Sequence, residues 1–136
     1  MLKRFWLLTL ILGTLLLSAC ESGTGEIHGT IVDESRNIAT QKFTVVLIPC
    51  DHDLAKNESF EAKYNYYLLS DENDERRQEI NLEKGDYAEE IEFTFNDVPA
   101  GYYFILVENL SFSIVHYGEV FEVKPGGIVE QTFTVE

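Results

Sequence analysis

From Glu26 onward the chain alternates apolar and polar residues in short runs separated by turns, the period-2 signature of half-buried β-strands. In "EIHGTIVD" (26–33), Ile27 and Ile31 share one face with Gly29 between them, while His28, Thr30 and Val32 take the other. "YAEEIEFTFNDV" (87–98) alternates most cleanly. Its Ile91, Phe93 and Phe95 oppose Glu90, Glu92 and Thr94, as in an antiparallel strand with one solvated face. "KFTVVLIP" (42–49) is apolar on both faces from Val45 to Ile48, which predicts a central strand ended by Pro49. "YYFILVE" (102–108) sets Tyr103, Ile105 and Val107 against Tyr102, Phe104 and Leu106. Further strands are predicted in "EINLEKG" (79–85), "SFSIVHY" (111–117), "EVFEVK" (119–124) and "VEQTFTV" (129–135).

One segment resists this reading. In "LAKNESFEAKYNYYLLS" (54–70), Leu54 with Glu58 and Ala62 with Tyr66 give only partial helical spacing. Tyr64, Tyr66 and Leu68 fit a strand equally well, with Tyr67 and Leu69 opposite, so a turn or one short helix followed by a strand is expected. "DENDERRQE" (71–79) reads as a charged loop, and Gly85–Asp86 as a turn. Short strands at this spacing predict an all-β sandwich or small barrel.

The first nineteen residues follow another rule. Lys3 and Arg4 precede an apolar stretch over 5–17, broken only by Thr9, Gly13 and Thr14. It is too short for a comfortable membrane span and has the proportions of a secretory signal peptide. The junction "LSAC" (17–20) resembles the lipobox of bacterial lipoproteins. That resemblance implies removal of residues 1–19 and a diacylglyceryl group on Cys20, which would then hold the chain to a lipid bilayer. Stable anchoring takes more than one acyl chain, each buried methylene contributing about 0.8 kcal/mol. In that family an aspartate after the cysteine often retains the protein in the inner membrane. Glu21 stands there instead, which favours the outer membrane in a cell that has two. Residues 20–25 then form the lipidated cysteine and a short tether spanning ~12 Å, and 26–136 form a single domain.

Charge narrows the partners. The chain has 24 acidic and 10 basic residues; two of the basic ones are Lys3 and Arg4, so residues 20–136 carry a formal charge of −16. A nucleic-acid partner calls for a basic face, and side-chain attraction to an anionic membrane is equally disfavoured. With Cys20 acylated, Cys50 is the remaining cysteine of the two, which excludes a disulfide scaffold. Its place at the end of "VVLIPC" predicts a buried structural thiol.

"FTFNDVPAGYYFILVE" (93–108) resembles the signature of transthyretin-like β-sandwich modules, among them the carboxypeptidase regulatory-like domains. Phe93 and Phe95 match its first strand, Val98, Pro99 and Gly101 its turn, and Tyr103 the tyrosine that follows. "GEIHGTIVD" resembles the family's first strand, "FTVVLIP" its second and "FEVKPGGIVEQTFTV" its last pair. Residues 50–85 depart from the pattern. The resemblance implies a single antiparallel Greek-key β-sandwich and an accessory, adhesive or spacer role rather than an enzymatic one.

The residues offer little catalytic chemistry. His28 and His116 lie in predicted strands far apart in sequence, and Ser111 and Ser113 lack the glycine context of a nucleophile elbow. "DHD" (51–53) and "DENDE" (71–75) are the candidate metal ligands. Counted from Asp71, however, the glycine and glutamate places of an EF-hand loop hold Arg76 and Leu82. No catalytic, cofactor-binding or metal-ligating residue is assigned. Tyr64, Tyr66, Tyr67, Tyr102 and Tyr103 are the candidate recognition patch, an aromatic face for a peptide or sugar ring. The expectation is a non-catalytic binding or assembly module of the bacterial cell envelope, engaging an envelope protein or a glycan. A purely structural accessory role is the alternative, with a hydrolytic enzyme behind it.

Overall fold

A computed structural model of the chain describes residues 23–35, 39–70 and 73–135. The leader, Cys20 and the first part of the tether lie outside the described residues.

Among the described residues eight strands form two sheets. The smaller sheet has β1 (Thr24–Asp33) at its centre, flanked by β4 (Glu90–Pro99) and β8 (Ile128–Val135). In the larger sheet β3 (Gln78–Lys84), β2 (Gln41–Cys50), β5 (Gly101–Asn109) and β6 (Ile114–Tyr117) lie side by side, and β7 (Phe121–Val123) also pairs with β5. The expected sandwich is the observed architecture. The inward-facing parity of each strand supplies its core: Ile27, Ile31, Phe93, Phe95, Phe133 and Val135 meet Phe43, Val45, Leu47, Tyr103, Ile105 and Val107. Fully burying each such side chain is worth about 1.5–3 kcal/mol relative to exposure.

Two features differ from the expectation. The sandwich is not wholly antiparallel: β1 and β8 run parallel, in register from Glu26 opposite Ile128 to Asp33 opposite Val135. Parallel neighbours need a long connection, and here the whole intervening domain provides it. The second difference is at residues 52–69, where two helices, α1 (His52–Lys56) and α2 (Phe60–Leu69), replace the turn and strand. They cover the outer face of the larger sheet. That is why β2 and β5 are apolar on both sides: Val46, Ile48, Phe104 and Leu106 pack against Leu54, Ala62, Tyr66 and Tyr67.

Gly29 has a definite reason to be glycine. The Phe93 ring of the neighbouring strand lies across it, and a Cβ there would come within 2.0 Å of that ring. The β1–β4 pair therefore stacks an aromatic over a bare backbone position.

Candidate functional site

The helical layer is built from local caps. Asp51 caps α1 by accepting from the Leu54 N–H at 3.0 Å, and Ser59 caps α2 by accepting from the Ala62 N–H at 3.1 Å. Asp51 also accepts from the Tyr66 hydroxyl at 2.6 Å, which ties the start of α1 to the middle of α2. That bond pushes the Tyr66 phenol up to about 12 and holds the Asp51 carboxyl below its usual value. Lys63 fastens the other flank. Its Nζ donates to the Gly118 carbonyl at 2.8 Å and pairs with Glu58 at 2.9 Å, while Glu58 accepts the Val120 N–H at 2.7 Å.

With Ala62, Lys63, Tyr66 and Tyr67 turned inward, α2 presents Phe60, Tyr64 and Leu68 to solvent at i, i+4 and i+8 spacing. They are 68, 43 and 58% exposed, and Leu69 beside them is more exposed still. Phe60 stacks on Tyr64 and meets Tyr117 of β6 edge-on, with ring centroids 5.1 Å apart. The uncharged turn after β5 adds Leu110 and Phe112, and β6 adds Val115 on the helical side and Ile114 on the other, all about half exposed. Phe60, Lys63, Val115, His116 and Tyr117 with Glu58 and Ser59 surround a hollow of about 360 Å³ between the start of α2 and β6. A larger open cleft of about 680 Å³ lies at the other end of α2, walled by Pro49, Ala62, Tyr66 and Leu69. At its rim Arg76 forms a bidentate pair with Asp74, at 3.1 and 2.8 Å.

The five candidate tyrosines do not form one exposed patch. Tyr64 stands on the exposed stripe of α2, and Tyr66 and Tyr67 are half-buried beneath it, the latter under Arg77. Tyr102 lies on β5 against His52, its hydroxyl bonded to Glu122. Tyr103 requires a correction: it is wholly buried in the core between the sheets. It shares the parity of Ile105 and Val107, and its hydroxyl donates to the Pro99 carbonyl at 2.5 Å across the turn. Burial pushes its phenol up to about 12. The exposed apolar surface is made largely of residues the sequence reading did not single out for a site: Phe60, Leu68 and the β5–β6 turn. The signal for the turn and β6 was the lack of charged residues in 109–118; Phe60 and Leu68 had none.

The chemical candidates are dispersed. His28 pairs with Glu26 at 2.9 Å on the exposed face of the smaller sheet, above a shallow hollow whose lining holds threonines but no serine. His116 belongs to the other sheet. Within "DHD", Asp51 caps the helix and His52 packs edge-on against Tyr102. Asp71 lies outside the described residues, and Asp74 is paired with Arg76. Among the described residues no three His, Cys, Asp or Glu side chains gather as a metal site. Cys50 is half-buried beside the second core. Burial, with Asp51 and Glu58 adding to it, pushes its thiol up to about 12, so it is protonated at neutral pH. Among the described residues no helix is long and apolar enough to cross a membrane.

A buried polar chain closes the end of the sandwich where β1 finishes. Lys84 lies 3.3 Å from Asp33, the two side chains 1 and 2% exposed, and donates to the Ala88 carbonyl at 2.6 Å. Gln41 donates to Asp33 at 2.7 Å and accepts from Asn109 at 2.9 Å. Burial pushes the Asp33 carboxyl up, but hydrogen bonds from Ser35 and Lys84 outweigh it and hold the group below its usual value. This network is structural: it satisfies the ends of four strands.

Compared with family models, curated proteins and solved structures, the chain finds no match.

Proposed function

We propose that the chain is a lipid-anchored, non-catalytic binding module of the bacterial cell envelope, held to a membrane by an acylated Cys20. The observation that carries the binding role is the Phe60–Tyr64–Leu68 stripe. These are large apolar side chains on a helix already anchored by its opposite face, and contiguous exposed apolar surface of this kind marks interaction sites. "LSAC" after a basic start and an apolar stretch supports the anchor and its loss of residues 1–19. Glu21 favours the outer membrane where there are two.

The transthyretin-like, Greek-key reading belongs to the same proposal. Its support is the turn at Val98–Tyr103, where the signature tyrosine ties back to the Pro99 carbonyl beneath the Phe93 and Phe95 strand. The dispersal of the five tyrosines favours one second reading, a structural accessory with no ligand on that face.

The test is palmitate labelling of the full chain and of Cys20→Ser, followed by crosslinked pull-down from native membranes with wild type and Tyr64→Ala/Leu68→Ala. Label lost in Cys20→Ser and a partner lost in the α2 variant are expected. Labelling that survives Cys20→Ser overturns the anchor; identical recovery from both chains overturns the α2 face.

A further inference from the structure

The edge strands of the domain are not protected alike. Strands β3, β4, β7 and β8 all carry acidic residues, at Glu79 and Glu83, Glu90 and Glu92, Glu122, and Glu130 respectively. Such charges discourage edge-to-edge pairing, because an incoming strand would have to desolvate them. The β6 strand reads Ile-Val-His-Tyr and has none. Its hairpin turn, Leu110–Ser113, is uncharged as well. On the far side of Gly118 the edge is already covered, since Lys63 holds the Gly118 carbonyl and Glu58 the Val120 N–H. Among the described residues, Ile114–Tyr117 pairs with β5 alone. It therefore offers a short open ladder with half-exposed apolar side chains on it.

Resting on the reading of the domain as a binding module, we infer that β6 accepts an extended segment of a partner protein as an added strand. The segment alternates apolar with basic residues. Strand addition draws affinity from main-chain hydrogen bonds and specificity from pockets that take alternate side chains. The hollow beside β6 is such a pocket. Val115 and Tyr117 point to the helical side of the sheet, and with Phe60 they form apolar and aromatic walls. The half-buried Glu58 carboxylate stands at the rim. A Lys or Arg of the added strand fits this environment, its stem against the rings and its charge over them; Glu58 is neutralised by Lys63, so the acidic attraction comes from the carboxylates around the hollow. Surrounding charge agrees. Glu108 lies opposite Val115 in the ladder, Glu61 is exposed on the first turn of α2, and Glu119 follows the strand. Lys63, the cation in the hollow, is already ion-paired. A second copy of the chain would bring another −16 charges to the same edge, which opposes self-pairing.

The test is selection of a displayed library of random ten-residue segments on the full lipidated chain in detergent, followed by amide hydrogen exchange with the enriched segments as synthetic peptides. Expected is enrichment of segments alternating apolar residues with Lys or Arg, and slowed exchange confined to the amides of 114–117 and the facing hollow. Val115→Lys, a change at a half-exposed position, should weaken those peptides at least tenfold, while Ile128→Ala, at an exposed position of β8 in the smaller sheet, leaves them unaffected. Absence of enrichment, enrichment of acidic segments, or protection elsewhere overturns the proposal. Slowed exchange at 114–117 that rises with chain concentration and needs no peptide overturns the occupant, because it identifies a second copy. Failure here alongside an α2-dependent partner in the pull-down leaves the binding module standing and removes only the strand addition.

Discussion

Replacing Lys84 by methionine tests the polar end of the core. The substitution keeps most of the side-chain volume but removes the ammonium that faces Asp33 at 3.3 Å and the hydrogen bond to the Ala88 carbonyl. Asp33 remains, 2% exposed, with Gln41 and Ser35 as neutral donors. Leaving one member of a buried ion pair uncompensated costs about 3–5 kcal/mol. Domains of this size have a total stability of roughly 5–15 kcal/mol, so the loss is a large fraction of the whole. At about 4 °C per kcal/mol the midpoint should fall by roughly 12–20 °C. The assay is urea and thermal unfolding followed by far-ultraviolet circular dichroism, because Trp6, the single tryptophan, is not among the described residues and reports on none of these contacts. Asp33→Asn and the double variant complete a cycle. The charge removed in each single variant is the other's partner, so the double variant should be more stable than the summed losses predict, by about 0.5–3 kcal/mol. A Lys84→Met loss below about 1 kcal/mol, or strict additivity of the two changes, would refute the assignment of this pair as a coupled, desolvated unit.

Three further outcomes are expected. The carboxyls of Asp33 and Glu58 lie below their usual values in the fold, so the unfolded chain binds protons first. The stability they contribute is fully present above the unfolded carboxyl range near pH 4 and is lost as pH falls through their folded values; unfolding midpoints against pH should show this slope, shallower in Asp33→Asn. Gly29→Ala forces a methyl into the Phe93 ring and should cost about 1–3 kcal/mol in the same unfolding assay, part of it recovered by Phe93→Leu. Cys50, its thiol raised to about 12, should alkylate with iodoacetamide far more slowly than a free thiol at pH 8, and at the free-thiol rate once the chain is unfolded in urea.

The strands were legible because each buries one face, or two, and period 2 reports that directly. The α2 helix was not. A helix is read from the contrast between its faces, and α2 has apolar residues on both: Ala62, Tyr66 and Tyr67 inward, Phe60, Tyr64 and Leu68 outward. The same lack of contrast hid the fate of Tyr103, since β5 is apolar on both sides and parity alone does not say which side meets the other sheet. The polar network was missed for a different reason. Asp33, Gln41, Lys84 and Asn109 are residue types that belong outside, yet each continues the inward parity of its strand. Lys84 follows Ile80 and Leu82, Gln41 precedes Phe43 and Val45, Asp33 follows Ile31, and Asn109 follows Ile105 and Val107. Parity carried the right answer and residue type obscured it.

The parallel pairing of β1 with β8 has a mechanical consequence. The chain enters β1 at Thr24 and leaves β8 at Val135, at opposite poles of the smaller sheet, separated by the length of a ten-residue strand or about 33 Å. Tension applied between those two points runs along both strands. It loads the register from Glu26 to Asp33 in shear, so that the ladder must give way together instead of unzipping one bond at a time. Forced unfolding is set by how fast the structure opens. The arrangement makes that opening slow for a pull between its ends, and leaves it easier for a pull that peels β6 from its free edge.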